Sequence, residues 1–139
     1  MEDRCRREVV DLHRFFQDWL TAALTDDVSH LARFEGVLAE DFEIITPDGY
    51  RVGPEAVVQA LRERHGRFAD RDLVIDIRIL GSRTLAEGLV QVTYEEHRAI
   101  SGKPWGWLGS ALFRPREGAP HGVEWIHAQE TYLPAPADD

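Results

Sequence analysis

The chain has 139 residues, 43% of them hydrophobic, with 16 Lys and Arg against 25 Asp and Glu and a formal charge of -9. That length suits one compact domain, expected to span 1-139 with a loose tail at 134-139, and the acid excess argues against duplex nucleic acid, which needs a basic face. No apolar run approaches the roughly 18 residues that cross a bilayer, so no membrane role is expected.

Between Glu2 and about Leu24, the residues Val9, Leu12, Phe16, Leu20 and Ala23 recur at spacings of three and four. This predicts a helix with one buried stripe, broadened by Phe15 and Trp19. Thr25-Asp26-Asp27 breaks it and supplies a capping acid for a short second helix over Val28 to Leu38. Phe42 to Thr46 and Tyr50 to Val52 bracket Pro47-Asp48-Gly49 and predict a hairpin, because Pro fixes φ and Gly accepts a positive one. Gly53-Pro54-Glu55 opens a third helix with Pro at its first position, Val57, Leu61 and Phe68 along its stripe, and Gly66 as its expected stop.

The remainder is strand-like. Leu73 to Leu80 sets Leu73, Ile75, Ile77 and Ile79 against Val74, Asp76, Arg78 and Leu80. A period of two buries one face and leaves the other partly wet. Leu85 to Arg98 repeats the pattern, with Val90, Val92 and Tyr94 on one side and Gln91, Thr93 and Glu95 on the other. Strands over Trp105 to Arg114 and Val123 to Leu133 complete the chain, with turns at Ser101 to Pro104 and Glu117 to Gly122. Helices first and an antiparallel meander last give an α+β architecture, helices on one face of the sheet. The single cysteine, Cys5, cannot form an internal disulfide, and the charged start MEDRCRREVV has no signal-peptide core, so a cytoplasmic location is expected.

The helix end Leu24-Thr25-Asp26, the stretch from Leu38 to Gly49, Gly53-Pro54-Glu55-Ala56-Val57 and the terminal Trp125-Ile126-His127 carry a resemblance over Val9 to Leu133. Their order resembles the NTF2-like superfamily, also called SnoaL-like, and within it uncharacterised bacterial members. The resemblance implies a cone: three helices on a strongly curved antiparallel sheet, with an apolar cavity holding a few polar groups. It also implies a homodimer through the outer sheet face, here Gln91, Thr93 and Glu95. It implies no reaction, since this scaffold hosts isomerases, dehydratases, cyclases and proteins with no known reaction. The ketosteroid-isomerase pattern is not met, because Trp19 stands where its first-helix tyrosine would fall and Thr46 where its general base would be. Nearby Asp48, in its Pro-Asp-Gly turn, is expected to bond its own backbone.

The last strand is the richest in chemistry. Trp125, His127, Gln129 and Thr131 make one face, and Ile126, Ala128, Glu130 and Tyr132 the other. Pattern leaves both open; the burial gain of Trp125 favours its face as the inner one. The expected pocket is lined by Trp19, Tyr94, Trp107, Trp125 and His127 and accepts a small, mostly apolar or aromatic molecule. The enzymatic alternative is a cofactor-independent lyase, isomerase or cyclase using His127 or Glu96 as general acid or base. Glu96 shares the face of Tyr94, and a desolvated carboxyl there would gain proton affinity; the competing reading is a solvated strand end. For His127 the competing reading is a core histidine satisfied by one hydrogen bond. Six histidines without HxH or HExxH spacing, and no Gly-rich phosphate loop, point to no metal and no cofactor. Arg62, Arg64, Arg67 and Arg71 are expected to form a solvated face, ion-paired among Glu63, Asp70 and Asp72, rather than an anion site.

Overall fold

The computed structural model describes residues 1-134, so the expected tail lies, beyond Pro134, outside the described residues. Helix α1 (Glu2–Leu20) ends four residues earlier than its stripe suggested. The chain reverses there because Ala22 takes φ 62, while the Thr21 hydroxyl donates to the Gln17 carbonyl at 2.7 Å. Helix α2 (Val28–Glu35) begins as the sequence indicates, the Asp27 carboxylate accepting from the Ser29 N–H at 2.9 Å. It stops before Leu38, which instead opens strand β1 (Leu38–Ile45). The hairpin to β2 (Arg51–Val52) forms, with Gly49 at φ 90 in its turn. Asp48 does not cap its own turn; its carboxylate accepts from the Tyr132 hydroxyl at 3.0 Å. Helix α3 (Pro54–Glu63) has Pro in its first turn and is shorter than the stripe to Phe68 implied.

Strands β3 (Val74–Ala86), β4 (Leu89–Ile100), β5 (Lys103–Pro115) and β6 (Val123–Tyr132) form the antiparallel meander. Leu85 belongs to β3 and not to β4, because the chain turns at Glu87-Gly88, where Gly88 takes φ 73. The sheet order is β2-β1-β6-β5-β4-β3. One pairing departs from an all-antiparallel sheet: β1 lies parallel to β6. The sheet curls without closing, and α1 lies across its inner face against β3, β4 and β6. The core gathers Val9, Leu12 and Trp19 of α1 with Val90, Val92, Ala111, Phe113 and Trp125 of the sheet. Full burial of each large apolar side chain is worth about 1.5–3 kcal/mol. No helix among the described residues is long and apolar enough to cross a membrane.

Register aligns the inner face into rows across β4, β5 and β6: Val90, Phe113, Trp125; then Val92, Ala111, Ala128; then Tyr94, Gly109, Glu130; then Glu96, Trp107, Tyr132. These rows are possible only because β6 carries an irregularity. Phe113 faces Trp125 while the preceding Leu112 faces His127, so Ile126 is an extra residue in the ladder. A bulge of this kind changes which alternate residues face inward.

Candidate functional site

Between α1, α3 and the inner rows lies a cavity of about 660 Å³, within the range that accommodates small ligands. Its apolar wall includes Phe16, Phe34, Phe42, Trp105, Trp107 and Trp125. The row containing Glu96 brings the main polar cluster to that wall. His13 Nδ1 lies 2.7 Å from the Val9 carbonyl and Nε2 lies 2.9 Å from Glu96 Oε1. Both neighbours are acceptors, so both ring nitrogens carry hydrogen when Glu96 is ionised, and the ring is an imidazolium. Burial opposes that charge, but Glu96, the Val9 carbonyl and the Glu130 carboxylate together overcome it and raise the His13 pKa.

Glu96 is 1% exposed and accepts from His13, from Arg98 Nε at 2.5 Å and from Trp107 Nε1 at 3.0 Å. Arg98 also sits 4.8 Å from the centre of the Trp107 ring. Desolvation pushes the carboxyl upward, yet His13 and Arg98 win and hold it at about 2. This reverses the direction expected of a desolvated carboxyl at that position. Fully occupied by donors and held as an anion, Glu96 anchors the cluster and is a poor proton acceptor near neutrality.

Glu130 is different. Burial, then the nearby Glu96 charge, push it up to about 7, against the lowering pull of His13 and Arg98. The Tyr94 hydroxyl donates to its Oε2 at 3.5 Å. That reach depends on Gly109, which stands between them in the same row; a Cβ there would lie 2.4 Å from Tyr94 Cζ. The Tyr94 phenol, buried and flanked by Glu130 and Glu96, is itself pushed well above its usual range.

Of the residues singled out from sequence, Tyr94, Glu96, Trp107 and Trp125 line the cavity. Trp19 does not: it is 1% exposed, its indole donates to the Leu61 carbonyl at 2.8 Å, and it stacks on Phe15 behind the wall. His127 does not either. The extra residue at Ile126 turns it to the opposite face, where its β1 register partner is Glu43, and brings Glu130 inward in its place. Trp125 keeps its inner position, and its buried Nε1 has no hydrogen-bond partner among the described residues. His13 and Glu130 were missed as cavity residues. A signal existed for His13, four residues after Val9 and three before Phe16 on the stripe of α1; none existed for Glu130, whose inward turn depends on the bulge. Arg62, Arg64, Arg67 and Arg71 are all exposed, as expected of a solvated face, but the expected ion pairing differs: Arg62 pairs with Glu35 at 3.7 Å, Glu63 accepts from Gln59, and Arg64 and Arg67 lie at the cavity.

Comparison with solved structures finds the same fold in bacterial proteins. An NTF2-like protein of unknown function from Pseudomonas aeruginosa is 25% identical, with 94% of this chain and 99% of that chain covered and a TM-score of 0.78. An NTF2-like protein of unknown function in nutrient uptake from Rhodospirillum rubrum is 20% identical over 87% of this chain and 98% of that one, TM-score 0.58. An uncharacterised protein with a cystatin-like fold from Caulobacter vibrioides is 19% identical over 88% and 84%, TM-score 0.60. Comparison with curated proteins finds no match. Residues 5–134 match the family model described as Sucrose-6-phosphate phosphohydrolase C-terminal. With that match running through all the helices and strands of the cone, the chain belongs to the Sucrose-6-phosphate phosphohydrolase C-terminal family and has the NTF2-like fold.

Proposed function

We propose that this NTF2-like domain binds a small, mostly apolar ring compound in the cavity of the cone. The observation that carries this reading is the wall itself: Trp105, Trp107 and Trp125 around about 660 Å³, with a few polar groups set among them. Aromatic faces supply non-directional burial, and isolated polar groups fix orientation. The family's name concerns phosphohydrolases of sucrose-6-phosphate; for this chain it supports including a polyhydroxylated ring, such as sucrose, among the compounds screened. A cytoplasmic homodimer through Gln91, Thr93 and Glu95 completes the proposal.

A thermal-shift screen of neutral one- to three-ring compounds and sucrose tests it. A ligand at a hundredfold excess over its Kd adds about 2.7 kcal/mol to the native state, or a Tm rise of several degrees. Ile44→Trp places an indole at the cavity wall and is expected to abolish that rise. Failure of every compound to raise Tm, or an undiminished rise in the Ile44→Trp variant, contradicts the reading.

A second reading, acid-base catalysis, draws on one observation, the Tyr94–Glu130 couple across Gly109. A carboxyl that titrates near neutrality can both take and return a proton. Glu130 replaces His127 and Glu96 as the residue to which that role is assigned.

A further inference from the structure

We propose that the ligand carries an acidic group, a carboxylate or a phosphate, which Arg64 and Arg67 hold at the cavity while the apolar body lies against the tryptophans. This deepens the binding reading above and rests on it.

The first support is charge. The chain as a whole carries 25 acids against 16 Lys and Arg. The cavity wall inverts that balance, with Arg64, Arg67, Arg98 and His13 against Glu96 and Glu130. Glu96 is already matched by His13 and Arg98. Arg64 and Arg67 are therefore surplus cations, and among the described residues neither lies within ion-pairing distance of an acid, in contrast to Arg62. Arg67 instead places its guanidinium 5.9 Å from the Phe68 ring, another residue of the cavity wall.

The second support is the way the segment is held. After α3 ends, its backbone is tied to the end of α1: Gly66 N–H donates to the Trp19 carbonyl at 3.0 Å and Phe68 N–H to the Leu20 carbonyl at 2.9 Å. The His65 ring donates to the Leu24 carbonyl at 2.7 Å. Gly66 takes φ 67, the reversal that lets the segment fold back. Arg64 and Arg67 flank these ties, so their backbones are fixed relative to the cavity. A guanidinium presents five N–H donors in a planar fork that suits two oxygens of one anion. The acids of the wall set the ligand's direction: an anion beside Glu96 and Glu130 meets like charge, and one beside Arg64 and Arg67 does not.

Matched probes test this: 2-naphthoate, 2-naphthyl phosphate and the neutral 2-naphthamide, titrated by calorimetry into the wild-type protein and the Arg64→Gln/Arg67→Gln variant. At least one anion is expected to bind about 10-fold more tightly than the amide, and which one does so identifies the group as carboxylate or phosphate. In the double variant the gap is expected to close while amide binding persists. The Arg64→Lys/Arg67→Lys variant, which keeps both charges, should retain part of the gap. Equal binding of amide and anions to the wild type, or a gap that survives in the Gln variant, overturns the proposal and leaves the cavity reading standing. No binding by any of the three probes overturns both.

Discussion

Tyr94 reaches Glu130 because nothing stands in the way: Gly109 occupies the middle of their row, and any side chain there would run into the phenol ring. The consequence is a carboxyl whose proton affinity is raised by burial and by the Glu96 charge. A raised carboxyl pKa makes a signed prediction about stability. The unfolded chain gives up this proton near the ordinary value of 4.5, and the folded protein near about 7. The stabilisation from Glu130 is therefore complete below about pH 4.5 and is lost as pH rises through about 7. Glu130→Gln removes this titration. Relative to wild type, the variant should be more stable at about pH 8 than at about pH 5 by about 1–3 kcal/mol, after allowing for solvent screening at a partly exposed group. Urea unfolding at the two pH values measures the difference, and an identical offset at both would contradict the electrostatics described. Sequence could identify Tyr94, Glu96 and Trp107 as inward residues because alternation is faithful along β4 and β5, and Trp125 on β6 because its large aromatic surface gains most from burial. It could not reveal the partner that holds Glu96 as an anion, since His13 lies on another element, brought to Glu96 by tertiary packing.

At the scale of elements, β6 and α1 show where local pattern stops being informative. The residues of β6 alternate correctly up to Trp125 and again from Ala128 onward, but the added Ile126 shifts the phase between them. Reading straight through that shift is what sent His127 inward and Glu130 outward. On α1, the stripe correctly marks the buried side, while angle around the helix separates two duties, Leu12, His13, Phe16 and Leu20 falling on the cavity side and Phe15 and Trp19 beside it. His13 and Phe16 meet the cavity; Trp19, one turn on, bonds Leu61 and supports α3. This makes Trp19 structural, and Trp19→Phe should show it. Loss of the indole donor is expected to cost about 1–2 kcal/mol, the scale of a buried hydrogen bond whose acceptor is left unsatisfied. Affinity for a cavity ligand should change by less than about twofold, because the residue does not line the cavity. Chemical denaturation and a binding titration on one preparation separate the two effects. A large fall in affinity with unchanged stability would restore Trp19 to the cavity.

For the whole molecule, the α+β order, the hairpin, the capping at Asp27 and the meander were legible in the chain because each leaves a local signature in periodicity or turn chemistry. The parallel pairing of β1 with β6 was not, since the two strands are separated by most of the sequence and no local pattern encodes their relative direction. That pairing matters, because it extends the curled sheet on the side of the cavity that Ile44 and Thr46 line. The outer face is the surface proposed to meet a second copy. Its polar groups are partly engaged with one another, Gln91 with Ser110 at 2.8 Å and His97 with Glu95 at 3.1 Å, which predicts a dimer of moderate affinity. Light scattering over a dilution series should give a mass of twice 15.8 kDa falling toward 15.8 kDa, and a constant 15.8 kDa at high concentration would contradict the assignment. The central claim, a cavity open to a ring compound, is tested most directly by the indole N–H resonances of the four tryptophans during titration with whichever compound raises Tm. The account predicts shifts at Trp105, Trp107 and Trp125 with Trp19 unmoved; shifts at Trp19 alone, or at none of the four, would contradict it.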